Sequence, residues 1–296
     1  MFVKLVNIIK LVLDSGAAFD SAKQSAPFFG LEFGEFGRAL GKKLLLKSPR
    51  LGLEYMTAPV NSVRYFEFPF VQSHVVAGPC QCLDISSPRL FSLYYADKNP
   101  DATVHIINPD IQDIQATKNI VNLLGYRNIT TGNIDLKTVE ASLKYDCIWS
   151  ISVIEHISGD YDDSDAIQMM YALLIKGGKL ILTFPVAKQF RDEYRANNAY
   201  GLPVDQQGEK YFFQRYYDYP SILSRLLKPI GASKFSMRWF GENCPGYFDY
   251  YESEWHKKGL QHLVNDPVAM PTNFSEFESW DAMPGVGVCG LMIEKD

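Results

Sequence analysis

Short apolar runs alternate with amphipathic stretches between residues 80 and 185 of this chain. Five runs have the length and composition of strands: residues 81–85, 103–107, 128–130, 147–151 and 180–184. The stretches between them carry apolar residues at helical spacing: residues 90–96, 113–124, 137–143 and 165–175. This alternation predicts right-handed strand–helix–strand units, and therefore a parallel sheet with helices on both faces.

The last part of the chain predicts one further helix at residues 220–227 and two further strands, at residues 234–240 and 286–294. With the first five strands they predict a Rossmann-like, doubly wound α/β sheet of seven strands whose last strand is antiparallel. About forty residues separate the two late strands, which is too long for a simple hairpin. We therefore expect a substrate-side insertion at residues 241–284 within a core of residues 79–296.

Residues 1–78 precede the first strong strand and predict a helical cap or lid. At its start, apolar residues recur at the spacing of one helix face: Val3, Val6, Ile9 and Leu13. Polar residues interrupt this run, and it is too short to span a bilayer. We expect a helix that packs on the protein, with a membrane-surface or partner-binding helix as the alternative.

The composition of the chain indicates which classes of partner and which cellular compartment to expect. The formal net charge of −5 disfavours a general nucleic-acid binder, which would normally present a basic face. Five cysteines, an odd number, in a chain with no clear secretory signal predict a reducing, cytoplasmic location. We expect a small-molecule substrate, no nucleic-acid partner and no stable membrane insertion.

Candidate binding residues follow from the rule that open parallel sheets bind ligands beyond the carboxyl ends of their strands. These residues are Asp84, Ser86, Ser87 and Pro88 at the first strand, Asn108 and Asp110 at the second, Asn133, Ile134 and Asp135 at the third, and Ser150 and Ile151 at the fourth. Serine hydroxyls can bond a carboxylate or a ribose, and Pro88 suits the start of a helix.

The fourth strand leads into Glu155 and His156, an acidic stretch, an amphipathic helix, Gly177-Gly178 and another apolar strand. This order over residues 145–186 resembles the second half of class I S-adenosylmethionine-dependent methyltransferases. The segment from residue 82 to residue 88 lies where that family has its cofactor loop, although serine, proline and leucine replace the family's glycines at positions 86, 88 and 90. The resemblance covers roughly residues 80–240 and the final strand.

The resemblance implies S-adenosylmethionine as the cofactor and gives the strand-end residues roles. Asp84 would accept from the ligand's ammonium group, with a turn or helix-cap role as the alternative. Either Asn108 or Asp110 would accept from the ribose hydroxyls. Asn133 or Asp135 would accept from the adenine amino group while the neighbouring Ile134 packs on the ring.

The stretch RYFEFPF at residues 64–70 resembles a segment that precedes the first strand in methyltransferases of surface-polysaccharide and natural-product genes. It implies that Arg64 pairs with a carboxylate and that Tyr65 covers the sulfonium through a cation–π contact. Packing of these aromatic side chains in the core is the alternative.

His156 is the candidate general base because imidazole titrates near neutral pH, and Glu155 would orient it or the cofactor. The alternative is a histidine that only positions the cofactor. The carboxylates of residues 160–165 could hold a divalent cation, but they also suit a helix N-terminus, and we predict no metal site.

These observations predict an S-adenosylmethionine-dependent methyltransferase that methylates oxygen on a small hydroxylated molecule, such as a sugar or a natural product. The tyrosine-rich stretch at residues 211–256 is the expected acceptor wall. A degenerate methyltransferase fold that only binds ligands is the first alternative. A nicotinamide-dependent oxidoreductase is the second, although its glycine-rich first turn is missing.

Overall fold

An eight-stranded sheet lies at the centre of the computed structural model, which describes residues 2–25 and 30–296, with side chains from residue 8 onward. Its strands are β1 (Gln81–Ile85), β2 (Thr103–Ile107), β3 (Ile129–Gly132), β4 (Tyr145–Ile151), β5 (Leu174–Val186), β9 (Lys234–Glu242), β10 (Phe274–Phe277) and β11 (Gly287–Glu294). A separate three-stranded sheet contains β6 (Arg191–Arg195), β7 (Gln206–Gln207) and β8 (Lys210–Tyr216).

The strand order of the large sheet is β10-β9-β11-β5-β4-β1-β2-β3. Strands β1 to β5 are mutually parallel, and β11 is antiparallel to both of its neighbours, β5 and β9. The predicted doubly wound α/β sheet with an antiparallel last strand is therefore confirmed. The predicted count of seven strands is wrong, because β10 adds an eighth strand beside β9. Stacking of Phe274 on Phe240 holds this short edge strand in place.

Helices cover both faces of the sheet, as the alternating pattern predicted. They are α1 (Phe2–Gln24), α2 (Leu31–Leu45), α3 (Pro49–Thr57), α4 (Arg64–His74), α5 (Arg89–Lys98), α6 (Ile111–Leu124), α7 (Asp163–Leu173), α8 (Tyr219–Ser221), α9 (Tyr247–Lys258), α10 (Leu260–Leu263) and α11 (Asp266–Asn273). A π-helical turn, Ile222–Leu227, continues α8. The helix predicted at residues 137–143 is only a 3-10 turn, Leu136–Thr138, because the chain becomes extended at Val139.

Alternate residues of β4 enter two different apolar cores. Cys147, Trp149 and Ile151 face a core shared with the N-terminal helices, α5 and α6. Tyr145 and Ile148 face a second core shared with α7 and the π-helical turn. From Cys147 to Ile151 this alternation follows from the period of two in a strand, and it explains why the central strands are apolar on both faces. Tyr145 departs from it because the pairing register of β4 shifts between Tyr145 and Cys147.

The predicted insertion at residues 241–284 does not lie where a substrate loop was expected. It forms helices α9 to α11 and strand β10, and its buried Tyr251, Leu263 and Met270 join the core of the N-terminal helices. The segment that reaches the ligand side is instead the small sheet β6–β8, inserted between β5 and α8. Strands β6 and β7 are polar and gave no apolar signal, whereas β8 lies in the tyrosine-rich stretch that was predicted as the acceptor wall and not as a strand.

The predicted apolar face of α1 is not its packing face. Ile9 and Leu13 are 50% and 66% exposed, whereas Phe19 and Ala22 are buried. Val3 and Val6 lie outside the residues whose side chains are described. Among the described residues, no helix has the length and apolar content needed to cross a bilayer.

Candidate ligand-binding site

A cavity of about 540 Å³ opens at the carboxyl ends of the parallel strands. The strand order reverses between β1 and β4, because β2 lies on one side of β1 and β4 on the other. Open α/β sheets bind ligands at such a switch point. The loops after β1, β2, β3 and β4 all contribute to the cavity wall, together with α3 and Arg64 from the N-terminal helices.

Asp84 lies beneath the loop after β1 and does not reach the cavity. It is fully buried, and its carboxylate accepts from the backbone N–H of Ser87 (2.9 Å) and from the Ser92 hydroxyl. Burial raises its pKa, while both serines oppose the shift. The predicted direct contact with a ligand ammonium group is therefore replaced by a supporting role for the loop.

Ser86, Ser87 and Pro88 line the cavity as predicted. Ser86 has a φ of 53°, the left-handed region that favours glycine, and its backbone N–H donates to Ile107 (2.9 Å). The loop thus adopts a glycine-like turn without a glycine. The Ser87 hydroxyl accepts from the Ile151 N–H (3.0 Å) and joins the loop to the end of β4.

At the end of β2, Asn108 and Asp110 both line the cavity, but their side chains are used differently. Asn108 is 8% exposed; it accepts from the Asp110 N–H (2.9 Å) and donates to Asp113 (3.0 Å). Asp110 is half-buried, and its Oδ1 caps α6 by accepting from the Gln112 N–H (2.8 Å). Asn108 is thus mainly structural, whereas Asp110 has its carboxylate at the cavity rim.

After β3, Ile134 and Asp135 line the cavity, but Asn133 does not. The Asn133 amide donates to the carbonyls of Asn108 and Pro109, both at 2.9 Å, and so holds the preceding loop. Asp135 accepts from the Tyr161 hydroxyl (2.9 Å) and from a backbone N–H of the following turn. Of the three predicted residues, two therefore face the cavity and one supports it.

At the end of β4, the cavity wall begins one residue later than predicted. Ser150 and Ile151 are fully buried, and the Ser150 hydroxyl has no hydrogen-bond partner among the described residues. Ser152, with a φ of 49°, and Val153 line the cavity instead.

The side chains of Arg64 and Tyr65, which are neighbours on α4, face the cavity and the core respectively. Arg64 lines the cavity, with its side chain 24% exposed, and its Nη1 donates to Glu67 and to the Ser152 hydroxyl (2.7 Å). Tyr65 is 1% exposed within the core of the N-terminal helices and is not part of the cavity wall. Tyr65 therefore packs in the core, which was the alternative prediction, and does not form the predicted cation–π contact with a ligand.

His156 lines the cavity, while Glu155 is buried behind it. The His156 Nδ1–H donates to the Phe213 carbonyl (2.6 Å), which requires the proton to be on Nδ1. Nε2 therefore carries the lone pair, which accepts from the Tyr200 hydroxyl at 3.3 Å. The nearest Glu155 oxygen is 3.7 Å from Nε2.

Burial makes both members of this pair neutral at pH 7. It lowers the pKa of His156 to about 4, partly opposed by the Phe213 carbonyl. It raises the pKa of Glu155 to about 8, and Glu155 Oε2 has no partner among the described residues. The imidazole can therefore accept a proton at neutral pH without first losing one.

Residues 200–204 form a part of the wall that the sequence pattern did not indicate. Tyr200, Leu202, Pro203 and Val204 line the cavity from the connection between β6 and β7. Asn198 shapes this connection by accepting from the Gly201 N–H (2.9 Å) and donating to the Leu202 carbonyl (2.7 Å). Because none of residues 211–256 lines the cavity, the predicted acceptor wall is wrong, although the Phe213 carbonyl orients His156.

The sequence pattern also did not indicate an ion pair, Arg89 with Asp113, that lines the cavity. Arg89, at the start of α5, pairs with Asp113 and donates to the Thr117 hydroxyl (2.9 Å). Asp113 lies three residues after Asp110 in the first turn of α6, and that spacing is the only signal the sequence contained.

The carboxylates of residues 160–165 form helix-capping hydrogen bonds and ion pairs with other residues of the protein. Asp162 caps α7 by accepting from the backbone N–H groups of Ser164 and Asp165, at 2.8 and 3.1 Å. Asp163 is fully buried and pairs with Arg225, and Asp160 pairs with Lys137 at the cavity rim. The interpretation of this stretch as a helix N-terminus is therefore confirmed.

No family model and no curated protein matches the chain. Coclaurine N-methyltransferase bound to N-methylheliamine and S-adenosylhomocysteine is 12% identical, with a TM-score of 0.48 over 76% of this chain and 68% of that chain. A putative sarcosine dimethylglycine methyltransferase from Galdieria sulphuraria is 15% identical, with a TM-score of 0.47 over 76% and 82%. N-methyltransferase NodS from Bradyrhizobium japonicum, with S-adenosylhomocysteine, is 13% identical, with a TM-score of 0.41 over 76% and 81%. All three similar structures are methyltransferases by name.

Proposed function

We propose that this protein is an S-adenosylmethionine-dependent methyltransferase that methylates a small hydroxylated molecule on oxygen. The observation that carries the proposal is the cavity at the switch point, where four strand-end loops converge beside a neutral histidine. Its volume lies within the range of about 300–1,000 Å³ that small-molecule sites occupy.

The order of side chains across the strand ends suits this cofactor. Asp135 follows β3, Asp110 follows β2, Ser86 follows β1, and Arg64 meets the end of β4 at Ser152. These four strand ends span about 14 Å at the usual strand spacing. The carboxylates suit the amino and hydroxyl groups of a nucleoside, while the guanidinium suits a carboxylate.

When bound, S-adenosylmethionine would supply an activated methyl group, so the protein's task is to position the reactants and exclude water. His156 presents its Nε2 lone pair to the cavity and can take the proton that an acceptor hydroxyl loses. Tyr200, whose hydroxyl now bonds that nitrogen, occupies the place that an acceptor hydroxyl would take. A hydroxylated acceptor is therefore the chemistry that this end of the cavity fits.

We expect S-adenosylhomocysteine to raise the unfolding temperature in a thermal scan. At a ligand concentration one hundred times the dissociation constant, linkage predicts a stabilisation of about 2.7 kcal/mol. NAD, at the same concentration, is the control and should leave the midpoint unchanged. A shift with NAD and none with S-adenosylhomocysteine or S-adenosylmethionine would contradict the proposal.

We expect Asp110, and not Asn108, to contact the ribose. Asp110→Asn keeps an oxygen that can cap α6 but removes the charge, so S-adenosylhomocysteine should bind about 1–2 kcal/mol more weakly in calorimetry. Asp165→Asn is the control, because Asp165 lies near the N-terminus of α7, as Asp110 does near that of α6, but does not line the cavity. Unchanged affinity of Asp110→Asn would place the ribose elsewhere.

A further inference from the structure

Glu67 is a buried carboxylate that connects three separate elements at the base of the cavity. It lies on α4, one turn after Arg64, and is 0% exposed. Its Oε1 accepts from the hydroxyls of Ser152 (2.5 Å), at the end of β4, and Thr183 (2.7 Å), on β5. Its Oε2 accepts from Arg64 Nη1.

The hydrogen bonds around Glu67 form a closed set that fixes Arg64. Arg64 Nη1 uses its two hydrogens on Glu67 Oε2 and on the Ser152 hydroxyl (2.7 Å). The Ser152 N–H in turn donates to Thr183 Oγ1 (3.1 Å) and to the Thr183 carbonyl (3.0 Å). Because each group in this set is held by at least two others, the guanidinium plane has little freedom to turn.

Three N–H donors of Arg64, on Nε and Nη2, are left without an acceptor in the described part of the chain. The side chain lines the cavity, so these donors are available to a bound molecule. Glu155 lies close enough to influence Arg64 electrostatically, but burial raises its pKa to about 8 and so keeps it neutral at pH 7. The N-terminus of α5, a ten-residue helix, opens onto the same cavity and also favours a negative group.

We propose that Glu67 is a positioning residue that aims Arg64 into the cavity, where its remaining donors bind the carboxylate of the ligand's amino-acid part. This proposal rests on the proposed function, since it assigns that carboxylate to the cofactor. Arginine suits the role because its planar fork can hold a carboxylate through two parallel hydrogen bonds.

The test compares two ligands that differ in the group that Arg64 would bind. S-adenosylhomocysteine carries the amino-acid part, whereas 5′-methylthioadenosine keeps the nucleoside and sulfur but lacks the carboxylate. Dissociation constants for both ligands would be measured by calorimetry on the wild-type protein and on variants. We expect the wild-type protein to bind S-adenosylhomocysteine at least about tenfold more tightly.

Arg64→Met should weaken S-adenosylhomocysteine about tenfold or more and leave 5′-methylthioadenosine within about twofold of wild type. Arg64→Lys should recover only part of the loss, because an ammonium group lacks the planar fork. Glu67→Gln should behave like Arg64→Met, since its amide oxygen can satisfy Ser152 and Thr183 while its NH₂ group faces the Arg64 donors and releases the guanidinium.

Arg50→Met is the control, because Arg50 is exposed on α3 and does not line the cavity. It should leave the ratio of the two dissociation constants unchanged. Equal weakening of both ligands by Glu67→Gln, or no effect on either, would overturn the positioning role while the proposed function stands. Failure of the wild-type protein to bind either nucleoside would overturn both.

Discussion

His156→Ala is expected to lower turnover by about a hundredfold or more while S-adenosylhomocysteine binds as in the wild type. The reason is the position of Nε2, which lines the cavity with its lone pair available because Nδ1–H is committed to the Phe213 carbonyl. Turnover would be measured as transfer of a labelled methyl group to the best acceptor in a panel of sugars and phenols, and affinity by calorimetry.

Two control variants test whether the loss of turnover belongs to His156 itself. Tyr200→Phe removes the hydroxyl that now bonds Nε2, so it should retain turnover. His105→Gln changes another partly buried histidine that does not line the cavity, and it should leave turnover unchanged. If His156→Ala loses cofactor affinity and turnover to the same extent, His156 positions the cofactor and is not the base.

The pH dependence gives an independent check of the same residue. Burial lowers the pKa of His156 to about 4, so the imidazole is neutral and competent at every pH above that value. Turnover should therefore fall only as the pH approaches 4, without a step near 6.5. A step near 6.5 that His156→Ala abolishes would show that the imidazole is more solvated than its burial indicates.

Asp163→Ala is expected to lower the free energy of unfolding by about 3 kcal/mol, because it removes a buried carboxylate that faces the buried Arg215 and the half-buried Arg225. Asp163 is fully buried, pairs with Arg225 and accepts from the Tyr217 hydroxyl (2.8 Å). Arg215, with a side chain 7% exposed, lies 3.6 Å from the same carboxylate. Urea unfolding followed by circular dichroism would measure the loss.

Glu254→Ala is the matched control for Asp163. Glu254 also forms ion pairs with two basic side chains on α9, Lys257 and Lys258, but both lysines are more than half exposed. Solvent screens such pairs, so the unfolding midpoint should stay close to that of the wild type. A similar small effect for Asp163→Ala would mean that water reaches the buried cluster and replaces the lost carboxylate.

The order of the elements in the core could be predicted from the sequence because it depends on local patterns. Apolar runs of strand length separated by amphipathic stretches specify parallel strands and covering helices, and the strands at residues 81–85 and 103–107 were predicted with their observed bounds. Strand β10 was missed because it is four residues long and is held by the Phe240–Phe274 stack, a contact between residues far apart in the sequence.

Within the site, the sequence by itself determined which strand ends carry polar side chains, but it did not determine which way those side chains point. Asp84 and Asn133 are turned into the protein by hydrogen bonds to Ser92 and Pro109, whereas Ser86, Asp110 and Asp135 face the cavity. Only the tertiary structure decided this, because the direction depends on partners that the folded chain brings together. The same holds for Glu67, whose contacts with Ser152 and Thr183 join residues 85 and 116 positions apart.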